Sequence, residues 1–308
     1  MLPAIVIALR FLQFFGAMIL MGSSLFFIYG LPSRGPLSAA SLQWPRSLLI
    51  FGAALLTLCS ILGLVAQTGL LAGSFDEGLR PSNLLAAISL MNFGQSAAVR
   101  AAISAALLLT LCALSPSRAV WLLCAAGGTA ICASLAWMGH GAATEGPAGM
   151  VHLLADIIHA IAAAAWIGAL VGFVLLLLNR RAAGMDNILY QSLHRFSGIG
   201  TLAVALLVAT GVVNSWFLIG PDRLGDAWAT PYGRILIAKL TAFAGMLVLA
   251  ALNRYRLTPA LGNALTLGSP PFDALLRLKR SLLLETGGAI LVLVLVAWLG
   301  TLAPVTTQ

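Results

Sequence analysis

The amino-acid sequence predicts an all-α protein that crosses a membrane as a bundle of eight transmembrane helices. Of its 308 residues, 60% are hydrophobic and only 8% are charged, and the mean hydropathy of +1.01 is far above that of soluble domains. Eight apolar runs are long enough to cross a bilayer as helices. The predicted spans cover about residues 3–29, 45–71, 96–114, 119–139, 150–178, 195–219, 232–253 and 280–303. No long segment remains outside them, so we predict one integral membrane domain over residues 1–308.

The same composition excludes several other classes of protein. The net charge of +8 does not indicate a nucleic-acid partner, because the basic residues lie at span ends and form no basic run. The first span carries Arg10 as its only charge and lacks a small-residue cleavage site, so we predict a retained helix, not a signal peptide. The four cysteines lie inside predicted spans without C-x-x-C spacing, which argues against disulfides. A G-x-x-x-x-G-K-[ST] loop, which would bind ATP phosphates, is absent.

The distribution of lysine and arginine predicts the orientation of the bundle. Eleven basic residues lie in or beside the odd-numbered loops and four beside the even-numbered loops. Cytoplasmic loops carry the excess of basic residues. We therefore predict that both termini lie on the non-cytoplasmic side, which is the periplasm if the membrane is a bacterial inner membrane.

The fifth predicted span carries a row of ionisable residues. His152, Asp156 and His159 follow at i, i+4 and i+7, which places them on one helix face, and Trp166 falls on that face two turns deeper. Ionisable groups are costly inside a membrane and persist where they face a bundle interior, pair with each other or bind an ion. This face is therefore the candidate functional site.

Further polar residues are expected near the same membrane face. His140 ends the fourth span, and the short loop after it contains Glu145 and Met150. Lys239 lies in the seventh span at a depth similar to that of Asp156. Lys239 either pairs with Asp156 or extends its ammonium group to the membrane surface, and the sequence leaves both alternatives open.

These side chains favour a copper site. Histidine binds both Cu(I) and Cu(II), methionine favours Cu(I), and carboxylate favours Cu(II). The predicted ligands are His140, His152 and His159, with Asp156 and Met150 nearby. However, two histidines seven residues apart are separated by about 10.5 Å along a helix, too far to share one ion unless the helix is distorted. A haem held by two histidines, or a structural or proton-relay role, remains an alternative.

Two further features have simple interpretations. Met18 and Met21 in the first span, and Met246 in the seventh, could accept Cu(I) deeper in the membrane or could simply pack. Glu285 begins the eighth span after Arg277, Lys279 and Arg280, and an ion pair with these basic residues would explain it.

Six motifs resemble the bacterial copper resistance protein D (CopD) family. They are H-L-L-A-D-I-I-H-A-I-A-A-A-A-W from His152, H-R-F-S-G-I from His194, T-G-V-V-N-S-W from Thr210, T-P-Y-G-R-I-L-I-A-K-L from Thr230, N-R-Y-R-L-T-P from Asn253 and R-S-L-L-L-E from Arg280. The resemblance extends from about Trp137 to Gly300, whereas the first 130 residues are similar only in character.

The resemblance implies a copper homeostasis protein of the inner membrane that moves copper and is not an enzyme. It implies that the family histidines correspond to His140, His152 and His159, and that Trp166, Asn214, Lys239 and Asn253 are further motif positions. It also implies a separate periplasmic copper-binding partner of the CopC type. A haem-binding electron-transfer or cupric-reducing protein is the main alternative, and a copper sensor or docking subunit is another. The predicted route, between the first, fifth and seventh spans, includes Met18, Met21, Trp166, Asn214, Lys239 and Met246.

Overall fold

The computed structural model describes residues 2–139, 142, 144, 146–180, 184–268 and 270–307. Within these residues the chain is helical, without strands, and the predicted fold class is confirmed. Eight helices are long and apolar enough to span a membrane. They are α1 Leu2–Tyr29, α2 Gln43–Ala72, α3 Asn92–Ala113, α4 Arg118–Met138, α5 Pro147–Leu178, α6 Met185–Ile219, α7 Pro231–Thr266 and α8 Phe272–Leu299.

Several helices extend beyond the apolar runs that predicted them. Helix α6 begins at Met185 and α8 at Phe272, well before the predicted starts. The hydropathy pattern reports only the part of a helix that hydrocarbon surrounds, while backbone hydrogen bonding continues through the polar interface. Between α2 and α3, the chain forms the short helices Phe75–Leu79 and Pro81–Leu90.

Helix α7 continues past residue 253, where the seventh predicted span ends. Pro259 removes a backbone donor and would normally break a helix. A π-helical turn, Asn253–Leu257, precedes it, and the helix continues from Thr258 to Thr266. Such a turn rearranges the hydrogen bonding locally and often marks a functional site. Here it begins at Asn253, a residue of the site described below.

The bundle is organised around α1 and α5, which pack directly against each other. Helix α1 also contacts α2, α4 and α8, and α5 also contacts α4, α6 and α8. Gly22, in a π-helical turn of α1, lies against Ala164 and Gly168 of α5, and a Cβ atom on Gly22 would overlap the carbonyl group of Ala164. Small residues spaced four apart permit this close backbone approach between membrane helices.

For the site, the two ends of the bundle are named after histidines. The end where α4 finishes and α5 begins is the His152 end, and the end where α6 begins is the His194 end. The antiparallel order of the helices places the start of α1 and the last residues of α8 at the His152 end.

Candidate functional site

His152 is buried at the start of α5, with only 1% of its surface exposed. Its Nδ1 lies 2.8 Å from the hydroxyl oxygen of Thr144. Its ring stacks on Phe217 of α6, with ring centroids 4.7 Å apart and planes within 9° of parallel. Both contacts fix the orientation of the imidazole.

Asp156 lies one turn deeper on the same helix and faces α6. The side-chain amide nitrogen of Asn214 donates to its Oδ1 over 3.2 Å. The other amide atom of Asn214, Oδ1, is buried without a hydrogen-bond partner in the described part of the chain. A buried acceptor that no protein group satisfies is unusual. This oxygen could coordinate a cation that approaches Asp156.

The hydrogen bonds around His159 define which of its two ring nitrogens carries the hydrogen. The hydroxyl of Thr210 lies 2.6 Å from the carbonyl oxygen of Leu206, to which it donates its single hydrogen. The Nδ1 of His159, 2.9 Å from that hydroxyl oxygen, must therefore be the donor in the second contact. Nε2 then carries the lone pair, and no described residue donates a hydrogen bond to it. This is the arrangement in which a histidine can bind a metal, because the other ring nitrogen is held by a neighbour.

The three α5 side chains lie on the face that packs against α6. Their partners, Phe217, Asn214 and Thr210, follow in descending order because the two helices are antiparallel. The polar row and its contacts therefore form one interface. The sequence did not identify Phe217 or Thr210 as contact residues. The spacing of residues along α5 shows which of them share a face, but it does not show which residues of α6 lie opposite that face.

Helix α7 supplies a positive charge beside this row. Lys239 interacts electrostatically with both Asp156 and His159, although no direct ion pair joins Lys239 to either of them among the described contacts. Tyr232 of the same helix is buried and also lies within the field of Asp156. Lys239 therefore lies in the electrostatic field of Asp156 without a direct ion pair to it in the described part of the chain, and both alternatives for Lys239 stay open.

The remaining predicted ligands are His140 and Met150. His140 lies outside the described residues. Met150 is on α5, but its side chain is 69% exposed. Within the described part of the chain, no group of three or more histidine, cysteine or acidic side chains is close enough to hold one metal ion.

Trp166 belongs to a second polar cluster, nearer the His194 end. Its indole N–H donates to Oε1 of Glu285 over 2.9 Å, and the Asn253 amide donates to Oε2 over 2.7 Å. Glu285 is 2% exposed. The cluster joins α5, α7 and α8, and Oδ1 of Asn253 is another buried oxygen that lacks a hydrogen-bond partner within the described residues.

The predicted ion pair between Glu285 and its basic neighbours is wrong. Arg277, Lys279 and Arg280 are exposed, whereas Glu285 turns inward, toward α5 and α7. The reason is helical geometry, since Arg280 and Lys279 precede Glu285 by five and six residues, which places them on a different face of α8. The carboxylate instead faces a cavity of about 460 Å³. Its lining includes Trp166, Tyr190, His194, Asn253, Arg254 and Glu285.

A pair of substitutions at Glu285 tests what holds this cluster. We expect Glu285→Leu to lower the free energy of unfolding by about 3 kcal/mol, because the indole of Trp166 and the amide of Asn253 would both lose their acceptor. Glu285→Gln is expected to cost less than about 1 kcal/mol, because Asn253 can rotate its unpaired oxygen toward the new amide. Thermal unfolding in detergent checks both values. Equal losses for the two variants would contradict this interpretation.

The three methionines of the predicted route lie in the core of the bundle. Met18 and Met21 flank the close contact of α1 with α5, and Met246 packs beside Gly288 of α8. Each is at most 6% exposed. The polar side chains that accompany α5 come from α6, α7 and α8, so the polar row lies on a different side of α5 from Met18 and Met21.

Comparison with known proteins identifies the family. Residues 1–150 match the family model of the copper resistance protein D-like N-terminal domain, and residues 190–299 match that of copper resistance protein D. The N-terminal match extends the resemblance to the first 130 residues, where the motifs had indicated only a similar character. No solved structure matches this chain.

Three relatives show how far the similarity extends. Copper resistance protein D of Pseudomonas syringae pv. tomato is 34% identical over 97% of this chain and 96% of its own length. Inner membrane protein YebZ of Escherichia coli (strain K12) is 32% identical over 97% of this chain and 98% of its own length. Copper transport protein CutJ of Bacillus subtilis (strain 168) is 30% identical over 38% of this chain and 21% of its own length. Since both family models and two nearly full-length relatives agree, this multi-pass membrane protein belongs to the copper resistance protein D family.

Proposed function

We propose that this protein handles copper in the bacterial inner membrane and moves copper ions across it without ATP hydrolysis or other enzymatic activity. The observation that carries the proposal is His159, whose Nδ1 is held by Thr210 so that Nε2 keeps its lone pair, about one turn along α5 from the Asp156–Asn214 pair. An imidazole held by a neighbour, a carboxylate and an unpaired amide oxygen suit a transition metal ion. The names of the relatives point to the same ion.

Copper would first be captured at the His152 end, where we propose ligands from His140, His152 and His159, assisted by Asp156 and Met150. A single site made of all three histidines is not required. His152 and His159 are two turns apart on α5, about 10.5 Å along its axis, so they suit successive positions of one ion. The ion would compete with Lys239 for the negative charge of Asp156, because both are cations.

A second position is available nearer the His194 end. Glu285 and Asn253 repeat the combination of a carboxylate and an asparagine with an unpaired oxygen that is found at Asp156 and Asn214. Trp166, which binds Glu285, lies ten residues beyond Asp156 on α5, about 15 Å along the axis. We therefore propose a route that follows α5 between α6, α7 and α8 and ends in the cavity at Glu285. Met246 borders this region, whereas Met18 and Met21 lie on the α1 side.

The orientation follows from the excess of basic residues in the odd-numbered loops. We propose that the His152 end and both termini face the periplasm. A separate copper-binding protein of the CopC type would then deliver or receive the ion at that end.

Replacing His152 and His159 together by alanine tests the proposal. Loss of an outer partner of a metal ligand costs 10-fold to 100-fold in affinity, so loss of two ligands is expected to weaken copper binding by more than about tenfold. The purified protein would be titrated with Cu(I) and with Cu(II), and copper flux would be measured in reconstituted vesicles. His194→Ala is the matched control for copper binding at the His152 end, since His194 is an exposed histidine of the opposite end. It is not a control for flux, because His194 lines the cavity in which the proposed route ends.

Two outcomes would refute the proposal. Unchanged copper binding and flux in the double variant would remove the site. A strong Soret band in the purified wild-type protein, lost in the double variant, would instead assign the histidines to haem and favour an electron-transfer or cupric-reducing protein.

A further inference from the structure

The N-terminal half of the bundle contains two buried arginines that the copper route does not use. Arg100 of α3 is 1% exposed and Arg10 of α1 is 8% exposed. Both lie about 12 Å along their helices from the start at the His152 end. An arginine in a membrane domain is costly and normally pairs with an acid or with backbone carbonyls.

The hydrogen bonds of these two arginines are incomplete. Nη1 of Arg100 donates to the hydroxyl of Ser134 over 3.0 Å, and Arg10 donates to the carbonyl oxygen of Met138. The Nε of each guanidinium is buried and has no hydrogen-bond partner in the described part of the chain. The two cations also act on each other electrostatically, and none of the salt bridges between described residues includes either one.

Both guanidinium groups line the same cavity, which has a volume of about 240 Å³. Gln13 and Gln67 add two amide groups to its wall, and apolar side chains such as Leu64 and Phe93 complete it. No acidic side chain is among its lining residues in the described part of the chain. The cavity is therefore positively charged, and its lining combines polar and apolar side chains.

We propose that Arg10 and Arg100 bind a phosphate-type oxyanion in this cavity. Arginine presents a planar set of donors that matches the oxygens of phosphate, and two converging guanidiniums favour a doubly coordinated oxyanion. The bound anion would offset both charges and accept from those guanidinium N–H groups of Arg10 and Arg100 that reach the cavity. The ligand is a free phosphate or the phosphodiester head of a lipid whose chains contact the apolar wall.

Arg46 shows how an arginine in this protein is satisfied when it only caps a helix. Its Nε and Nη2 donate over 2.9 and 3.0 Å to the carbonyl oxygens of Leu111 and Cys112, at the end of α3. Its Nε therefore has a partner, unlike the Nε of Arg10 and of Arg100. Arg46 also does not belong to the lining of the cavity. It serves as the matched control.

The test measures thermal unfolding of the full chain, delipidated in dodecyl maltoside. One arm compares potassium phosphate with potassium chloride at equal pH and ionic strength, and the other compares dioleoyl phosphatidylglycerol with dioleoylglycerol, which lacks the phosphate. We expect the midpoint to rise by about 3 °C or more in at least one arm, because a ligand that binds only the folded state stabilises it. A rise with free phosphate identifies the soluble ion as a ligand, and a rise only with phosphatidylglycerol identifies the lipid head.

Variants connect the effect to the two arginines. Arg10→Gln and Arg100→Gln are expected to abolish the rise, Arg100→Lys to reduce it, and Arg46→Gln to leave it unchanged. The absence of a rise in both arms with the wild-type protein would overturn the proposal, whether or not the variants fold. An equal rise in Arg10→Gln and Arg100→Gln would also overturn it. The result is independent of copper binding, since no residue of the α5 row is altered.

Discussion

Asp156→Asn is expected to lower the free energy of unfolding by about 3 kcal/mol, although the new side chain has nearly the same shape. The asparagine can still accept from Asn214, so the hydrogen bond at 3.2 Å need not be lost. What is lost is the negative charge that acts on Lys239. Breaking a fully buried ion pair costs about 3–5 kcal/mol, because the remaining charge is uncompensated. We expect no more than the lower value here, because Asp156 and Lys239 are both half-buried and no direct ion pair joins them among the described contacts.

A double-mutant cycle distinguishes the charge interaction of Asp156 with Lys239 from other effects of each substitution on stability. Lys239→Met should also destabilise the protein, whereas Asp156→Asn combined with Lys239→Met should recover most of the loss, giving a coupling of at least about 1 kcal/mol. Asp273→Asn, which removes an exposed acid at the start of α8, is the control and should cost less than about 1 kcal/mol. Additive losses in the cycle would mean that Lys239 reaches the membrane surface and does not pair with Asp156.

Gly22→Val is expected to destabilise the bundle by more than about 3 kcal/mol and to reduce sharply the yield of folded protein. The new side chain would overlap the backbone of Ala164, and no flexible side chain is present at that point to move aside. Overpacking usually costs 1–3 kcal/mol, but here α1 and α5 would have to separate along their whole contact.

Gly287→Val is the matched control, because a Cβ atom on that α8 glycine would have no heavy atom within 4 Å. Size-exclusion profiles and thermal unfolding in detergent compare the two variants. A Gly22→Val protein as stable as the Gly287→Val protein would mean that α1 and α5 are not in backbone contact. In that case the contact between α1 and α5 would no longer exclude a route on the α1 side of α5. The predicted route past Met18 and Met21 would then be as compatible with the fold as the route along α6, α7 and α8.

The sequence predicted the polar row of α5 but could not predict its partners. The spacing of His152, Asp156 and His159 follows from the period of one helix, and that period is a local property. Thr210 defines the tautomer of His159 because α6 is antiparallel to α5 at a particular register. Register and rotation depend on packing between helices, which residue spacing within one helix does not encode.

Glu285 illustrates the limit most clearly. Its neighbours in the sequence are basic, so an ion pair was the simplest prediction, yet its actual partners come from α5 and α7. Arg10 and Arg100 are ninety residues apart and carry no motif, and only the packed bundle brings them to one cavity.

The sequence by itself determined that this chain forms eight membrane helices, that α5 carries ionisable side chains on one face, and that six motifs resemble one family. Each of these depends on composition, period or local order along the chain. The tertiary structure alone decided that Asp156 faces Asn214, that Trp166 binds Glu285, and that two arginines share a cavity. The physical reason is that close contacts of small residues, such as Gly22 with Ala164, set how each helix is rotated toward its neighbours.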